Sequence, residues 1–318
     1  MRFVFKGILV CSSLGLVSIC STLSGIAEQA RQQSVLSWTP IAIAPLATFG
    51  GVAVLTRTGD VFAVGSLSST PPSTSIGHIA SGDPIDLGAG SLEGKDLIAV
   101  CSTAHTNADP GQAALTVFEV QAGKTMSQVA RPMKTLGATT CSGVFVDGRS
   151  GTAFATDMFT GKVHSLSLRS GGDGRVAGTF VSVPNALGTS LTLDLGRPRF
   201  LVADEQNGGI IEVPMEGRSP ARVVVTDLGD PRAVWVDQPR SRLLIADATF
   251  KKIWQVAIDR NTGALGHATV FSAEASFREP SGLAVDGSGT VWVGDPSAQV
   301  VYRFSPSGNL VGKVSAPR

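Results

Sequence analysis

One pattern constrains this chain more than any other. A short apolar strand ending in aspartate, a turn, and a second apolar strand ending in aspartate recur along the sequence. The clearest copies are CSGVFVDGRSGTAFATD (141–157), GTSLTLDLGRPRFLVAD (188–204), DPRAVWVDQPRSRLLIAD (230–247) and EPSGLAVDGSGTVWVGD (279–295). The first aspartates, Asp147, Asp194, Asp237 and Asp286, stand 47, 43 and 49 residues apart, and Asp157, Asp204, Asp247 and Asp295 follow them after 10, 10, 10 and 9. One unit of this kind cannot bury its own apolar faces. Units of some forty residues, built of short alternating strands, solve that by packing face to face around a ring. The pattern predicts an all-β fold: a six-bladed β-propeller of four-stranded antiparallel blades.

Two weaker copies complete the count. FGGVAVLTRTGDVFAVG (49–65) has Leu55 and Gly65 where the aspartates would stand, and DPIDLGAGSLEGKDLIAVCS (83–102) is divergent, its register left open. Third strands with period-two alternation follow at 162–168, 209–215, 252–258 and 300–306. At about 45 residues per blade, six blades consume the chain. The expected organisation is a signal peptide over 1–27, an N-terminal extension or closing strand over 28–47, and the propeller over 48–318.

The first segment reads as a secretory leader. Arg2 and Lys6 precede an uncharged apolar stretch from Gly7 to Leu23, and Gly25 and Ala27 suit cleavage after Ala27. The expected location is therefore secreted or periplasmic. Cys11 and Cys20 leave with the leader, and the remaining pair, Cys101 and Cys141, is expected to form a disulfide in an oxidising compartment. With 26 basic and 25 acidic residues there is no general attraction to nucleic acid or anionic lipid. The expected partner is a small-molecule ligand, with no nucleic acid, no membrane after cleavage, and a monomeric protein.

The last two copies, over 230–271 and 278–295, resemble the senescence-marker-protein/gluconolactonase family, with kinship to propeller repeats of the NHL type. In that family a divalent metal on the propeller axis polarises a lactone carbonyl. Its ligands stand at the leading ends of inner strands: a Glu in a first-blade G-E-G-P motif, an Asn in P-N-G, an Asp in P-D-G. Here the P-D-G site reads Pro280-Ser281-Gly282, the P-N-G site reads Pro231-Arg232-Ala233, and the first-blade position is matched to Gly50. A hard divalent cation wants several oxygens, usually with carboxylate among them. The resemblance thus implies the fold and not the metal, and the expected cofactor is none.

The leading positions should bring Gly50, Ser142, Thr189, Arg232 and Ser281 to the axis, with an uncertain contributor near Asp83. Arg232 presents five donors and a fixed charge, suited to a carboxylate or phosphate. The structural alternative pairs it with Asp230 or Glu279. Phe250, on a neighbouring turn, is expected beside the pocket. His105, in a polar loop over 101–112, is the one histidine suited to acid–base work. The resulting expectation is an exported propeller binding a small polar or anionic ligand in a metal-free axial pocket. One alternative is a lactone or sugar-acid hydrolase with a rearranged site, drawing on Asp83, Asp86 or Glu93 and a divalent metal such as Ca²⁺. Another is a metal-free biosynthetic enzyme of strictosidine-synthase or cycloaddition type. No G-x-S-x-G, H-E-x-x-H, C-x-x-C, P-loop or dinucleotide motif is present.

Overall fold

The structure, a computed structural model, describes residues 38–65, 73–79, 83–106, 109–120, 126–128, 140–169, 175–215, 219–274 and 276–315, with backbone alone at 103–106, 109–112, 114 and 126–128. The expected signal peptide lies outside the described residues.

Among the described residues, twenty-four strands form six four-stranded sheets, each made of strands consecutive in sequence. The first blade holds β1 (Pro40–Leu46), β2 (Gly51–Thr56), β3 (Asp60–Val64) and β4 (Ser73–His78). The second holds β5 (Asp83–Leu92), β6 (Lys95–Thr106), β7 (Asp109–Val120) and β8 (Met126–Gln128). The third holds β9 (Gly143–Asp147), β10 (Thr152–Asp157), β11 (Lys162–Ser167) and β12 (Arg175–Thr179). The fourth holds β13 (Gly188–Asp194), β14 (Arg199–Asp204), β15 (Gly209–Pro214) and β16 (Arg222–Val225). The fifth holds β17 (Pro231–Asp237), β18 (Arg242–Asp247), β19 (Lys252–Ile258) and β20 (Leu265–Ser272), and the sixth β21 (Gly282–Val285), β22 (Val291–Asp295), β23 (Val300–Phe304) and β24 (Leu310–Val314). All neighbours within a blade pair antiparallel, as hairpin-linked strands must.

The first strand of every blade is innermost. These six strands touch one another in ring order, and β21 packs against β1 to close the circle. Six apolar clusters fill the six seams between blades. Ala42, Leu55 and Val100 lie in the first seam, for example, and Ile43, Val54 and Trp292 in the closing one. The alternation in the repeats follows from this arrangement: successive side chains of a strand serve opposite seams, so both sets are apolar in the inner strands.

The first blade departs from the sequence register. Gly51–Thr56 and Asp60–Val64 are its second and third strands, not its first and second. The innermost strand is Pro40–Leu46, which reads PIAIAPL and lacks the closing aspartate that marks the clear copies. The segment over 101–112 departs as well. It is not an open loop, because β6 and β7 run on as a paired hairpin from Cys101↔Leu115 to Thr106↔Asp109.

Candidate functional site

Strand register defines one residue per blade at the mouth of the axis. Arg232 is bulged between Pro231↔Asp247 and Ala233↔Ala246, and the same bulge holds Ile41, Ile85 and Thr189. Ser142 and Ser281 occupy the matching positions before Gly143↔Thr156 and Gly282↔Gly294. The mouth ring is therefore Ile41, Ile85, Ser142, Thr189, Arg232 and Ser281. All six line one axial cavity of about 270 Å³. Gly50 is not among them: it sits in the β1–β2 turn with φ +70°, at the opposite end of the inner strand. The true equivalents, Pro40-Ile41-Ala42 and Pro84-Ile85-Asp86, share with Pro231-Arg232-Ala233 and Pro280-Ser281-Gly282 a proline just before the mouth residue. That proline was the legible signal.

One step further along each strand the register aligns Ala42, Asp86, Gly143, Ser190, Ala233 and Gly282. Five are small, which leaves the axis open, and one is a carboxylate. Asp86 Oδ2 accepts a hydrogen bond from the Val144 backbone N–H of the next blade at 2.8 Å. Ser190 makes the same blade-to-blade bond with its hydroxyl, accepting from Val234 N–H. Asp86 borders the cavity half-buried, and desolvation by the surrounding protein pushes its carboxyl up to about 7 against the opposing help of backbone N–H groups of Val144 and Leu87. Phe145 and Trp235 also line the cavity, half-buried, with ring centroids 6.1 Å apart.

Arg232 is held from two sides. Its Nε donates to Asp230 Oδ2 at 2.8 Å and its outer nitrogen pairs with Glu205 Oε1 at 3.1 Å. The expected structural partner Asp230 is thus present, and Glu205 stands in the place proposed for Glu279. Glu279 instead accepts from the Ser297 hydroxyl while lining the mouth. The ring hydroxyls are also engaged: Ser142 donates to Gly188 O, and Thr189 to Pro231 O at 3.2 Å, each the next blade's carbonyl. The Ser281 hydroxyl is buried without a partner.

Beneath the mouth, the second-strand aspartates fix the site's geometry. Asp247 is fully buried and accepts from the N–H groups of Gly229, Asp230 and Phe250 and from the Trp254 indole. Asp295 accepts from Arg278, Glu279 and Ala298, and Asp204 from Leu187 and Asn207. Each carboxylate ties the turn after its strand to the segment leading into the inner strand. They are scaffold, and Thr56 and Ser102 take their register positions in the first two blades.

Cys101 and Cys141 form a disulfide with Cα atoms 5.9 Å apart, both fully buried. Cys101 is the cross-strand partner of Asp86, and Cys141 immediately precedes Ser142, so the bond staples the second and third blades beside the cavity. Phe250 does not line the cavity: it stands half-exposed on the β18–β19 turn, edge-on to Trp254. His105 lies on β6, and its side chain falls outside the described residues. Of the three second-blade acids, only Asp86 reaches the cavity. Asp83 is exposed at the start of β5, and Glu93 sits on the far β5–β6 turn, paired with Arg169.

At the three positions where the resembling family places its metal ligands, this chain presents Ile41, Arg232 and Ser281. An aliphatic group, a cation and a lone hydroxyl lack the carboxylate oxygens that a hard divalent ion usually draws on. Among the described residues no three His, Cys, Asp or Glu side chains gather as a metal-binding group.

Residues 196–318 match the family described as SMP-30/Gluconolactonase/LRE-like region, a stretch containing both segments that carry the sequence resemblance. No curated protein matches the chain. Among solved structures, the chain is similar to one in a nidogen/laminin complex, at 15% identity and a TM-score of 0.63 over 81% of this chain and 91% of that one. It is similar to a candidate gluconolactonase at 13% identity and a TM-score of 0.52, over 75% and 80% of the two chains. It is also similar to an auxiliary nutrient binding protein from Bacteroides thetaiotaomicron at 8% identity and a TM-score of 0.61, over 84% and 69%. At these identities the likeness is one of fold.

Proposed function

We propose that this is an exported protein that binds a small polar ligand in the axial cavity without a metal ion. The observation that carries the reading is the composition of the cavity wall. The cavity, about 270 Å³ in all, has Arg232 and the hydroxyls of Ser142, Thr189 and Ser281 at its mouth and the Asp86 carboxylate beside Phe145 and Trp235 in its wall, room for one small molecule. The expectation of an anion rested on Arg232, whose charge is already met by Asp230 and Glu205, so the polar half of that expectation is the stronger. The nutrient-binding relative supports a binding role on the same architecture. A buried disulfide accords with export to an oxidising compartment.

The test is a thermal-shift titration, because whatever binds only the folded state raises its midpoint. Ca²⁺, Mn²⁺, Zn²⁺ and EDTA should leave the midpoint unchanged, while some member of a panel of small sugars, sugar acids, amines and amino acids should raise it. A metal-dependent rise reversed by EDTA would sink the metal-free reading and make lactone hydrolysis the next assay.

A further inference from the structure

Asp86 is unusual for its register. The five matching residues are Ala, Gly or Ser, and the one other blade-to-blade hydrogen bond seen at this level is made by a neutral hydroxyl, Ser190 to Val234. The seam therefore does not need a carboxylate here. No ion pair reaches it among the described residues, where its carboxylate accepts from the Val144 N–H. The groups that face it are known from each side. Its partner on β6 is the disulfide-bonded Cys101, the next blade presents uncharged Ser142 and Val144, and Arg57, Glu205, Arg232 and Glu279 line the rest of the cavity. Arg232 is held by Asp230 and Glu205, and Arg57 is exposed and forms no salt bridge with Asp86, so this acid has no cationic partner among the described residues.

The same cavity holds an aromatic pair. Phe145 directly follows Val144, whose N–H binds Asp86, and Trp235, on the inner strand of the fifth blade, stands 6.1 Å from Phe145 between ring centroids. A carboxylate and aromatic rings lining one cavity attract the same kind of guest, an organic cation. Resting on the reading of the cavity as a ligand site, we infer that the ligand carries a basic nitrogen, its ammonium group bound by Asp86 and its apolar body set against Phe145 and Trp235. A guest of this charge removes the cost of the buried carboxylate. An anionic guest would add to it.

The test uses three probes of one shape: cyclohexylamine, cyclohexanol and cyclohexanecarboxylate, titrated into the protein at pH 8 with thermal shift and Trp fluorescence as readouts. The amine is expected to bind at least tenfold tighter than the other two. Asp86→Asn, which keeps an acceptor for Val144 N–H, should abolish that preference, and so should Asp86→Ser, which copies the Ser190 arrangement and guards against a folding failure of the first variant. Affinity for the amine should also fall as pH drops below 7. Equal or tighter binding of the alcohol or the carboxylate, or an amine preference surviving both variants, would overturn the basic nitrogen and leave the cavity as a ligand site. Binding of none of the three would count against the cavity as a ligand site and overturn the inference with it.

Discussion

Because Asp86 borders the axial cavity with its carboxyl raised to about 7, the folded protein keeps a proton there that the unfolded chain releases near 3.8. Between those values the native state binds more protons, so this group's contribution to stability falls as pH rises, and above 7 the full cost of the buried charge is present. The upper bound on that cost is about 4 kcal/mol. Asp86→Asn is expected to raise the unfolding free energy at pH 8, by up to that amount, and to change little at pH 4, as measured by urea unfolding across the range. His164 works in the opposite sense. It is buried on β11 with Nε2 unpartnered, and desolvation lowers its titration below 6.5, with Lys162 adding to the effect and Asp157 opposing it. The unfolded chain then binds the extra proton, and stability is lost as pH falls through 6.5. His164→Leu should flatten that acid-side slope, and a slope left unchanged would show that other groups control it.

At the scale of the strand and its turn, the second-strand aspartates do the organising. Asp247→Ala removes the acceptor for four donors, three backbone N–H groups and the Trp254 indole, and should cost about 3 kcal/mol in unfolding measurements. A loss under about 1 kcal/mol would mean that water replaces the carboxylate. These same aspartates made the blades legible. A carboxylate at a strand end is a side chain one can read, and wherever both strands carried it the register was plain. Where the first two blades use Thr56 and Ser102 instead, the marker was gone, and Gly50 was matched in place of Ile41. The mouth hydroxyls and Arg232 could be placed from the repeat. The role of Asp86 could not, because it depends on the register of a divergent blade and on what faces it from the neighbouring one. Glu205 was missed as an Arg232 partner for a similar reason: it lies on a turn of the preceding blade, and the repeat says nothing about contacts between blades.

Across the whole ring, the six seams are not equivalent. The seam between sixth and first blades is closed by packing of β1 against β21 and β22. The seam between second and third blades holds a smaller-residue cluster of Ala99, Ala113, Ala153 and Ala155 beside the buried disulfide and the Asp86 bond. Alanine-rich packing buries less apolar surface than the Phe- and Tyr-rich cluster between the fifth and sixth blades, so the covalent link reinforces the more weakly packed of these two seams. Cys101 and Cys141 are 40 residues apart in sequence, and closing a loop of that length in the unfolded chain is worth about 4 kcal/mol at most, with about 2–4 usual. Replacing both cysteines by serine should lower stability by that amount and lower affinity for an axial ligand as well, since Cys101 pairs with Asp86 and Cys141 leads directly into Ser142. Loss of stability with ligand affinity intact would confine the disulfide to the scaffold. Loss of both would mean that the second–third seam sets the shape of the cavity, and that the ring holds its ligand site open only while that seam is closed.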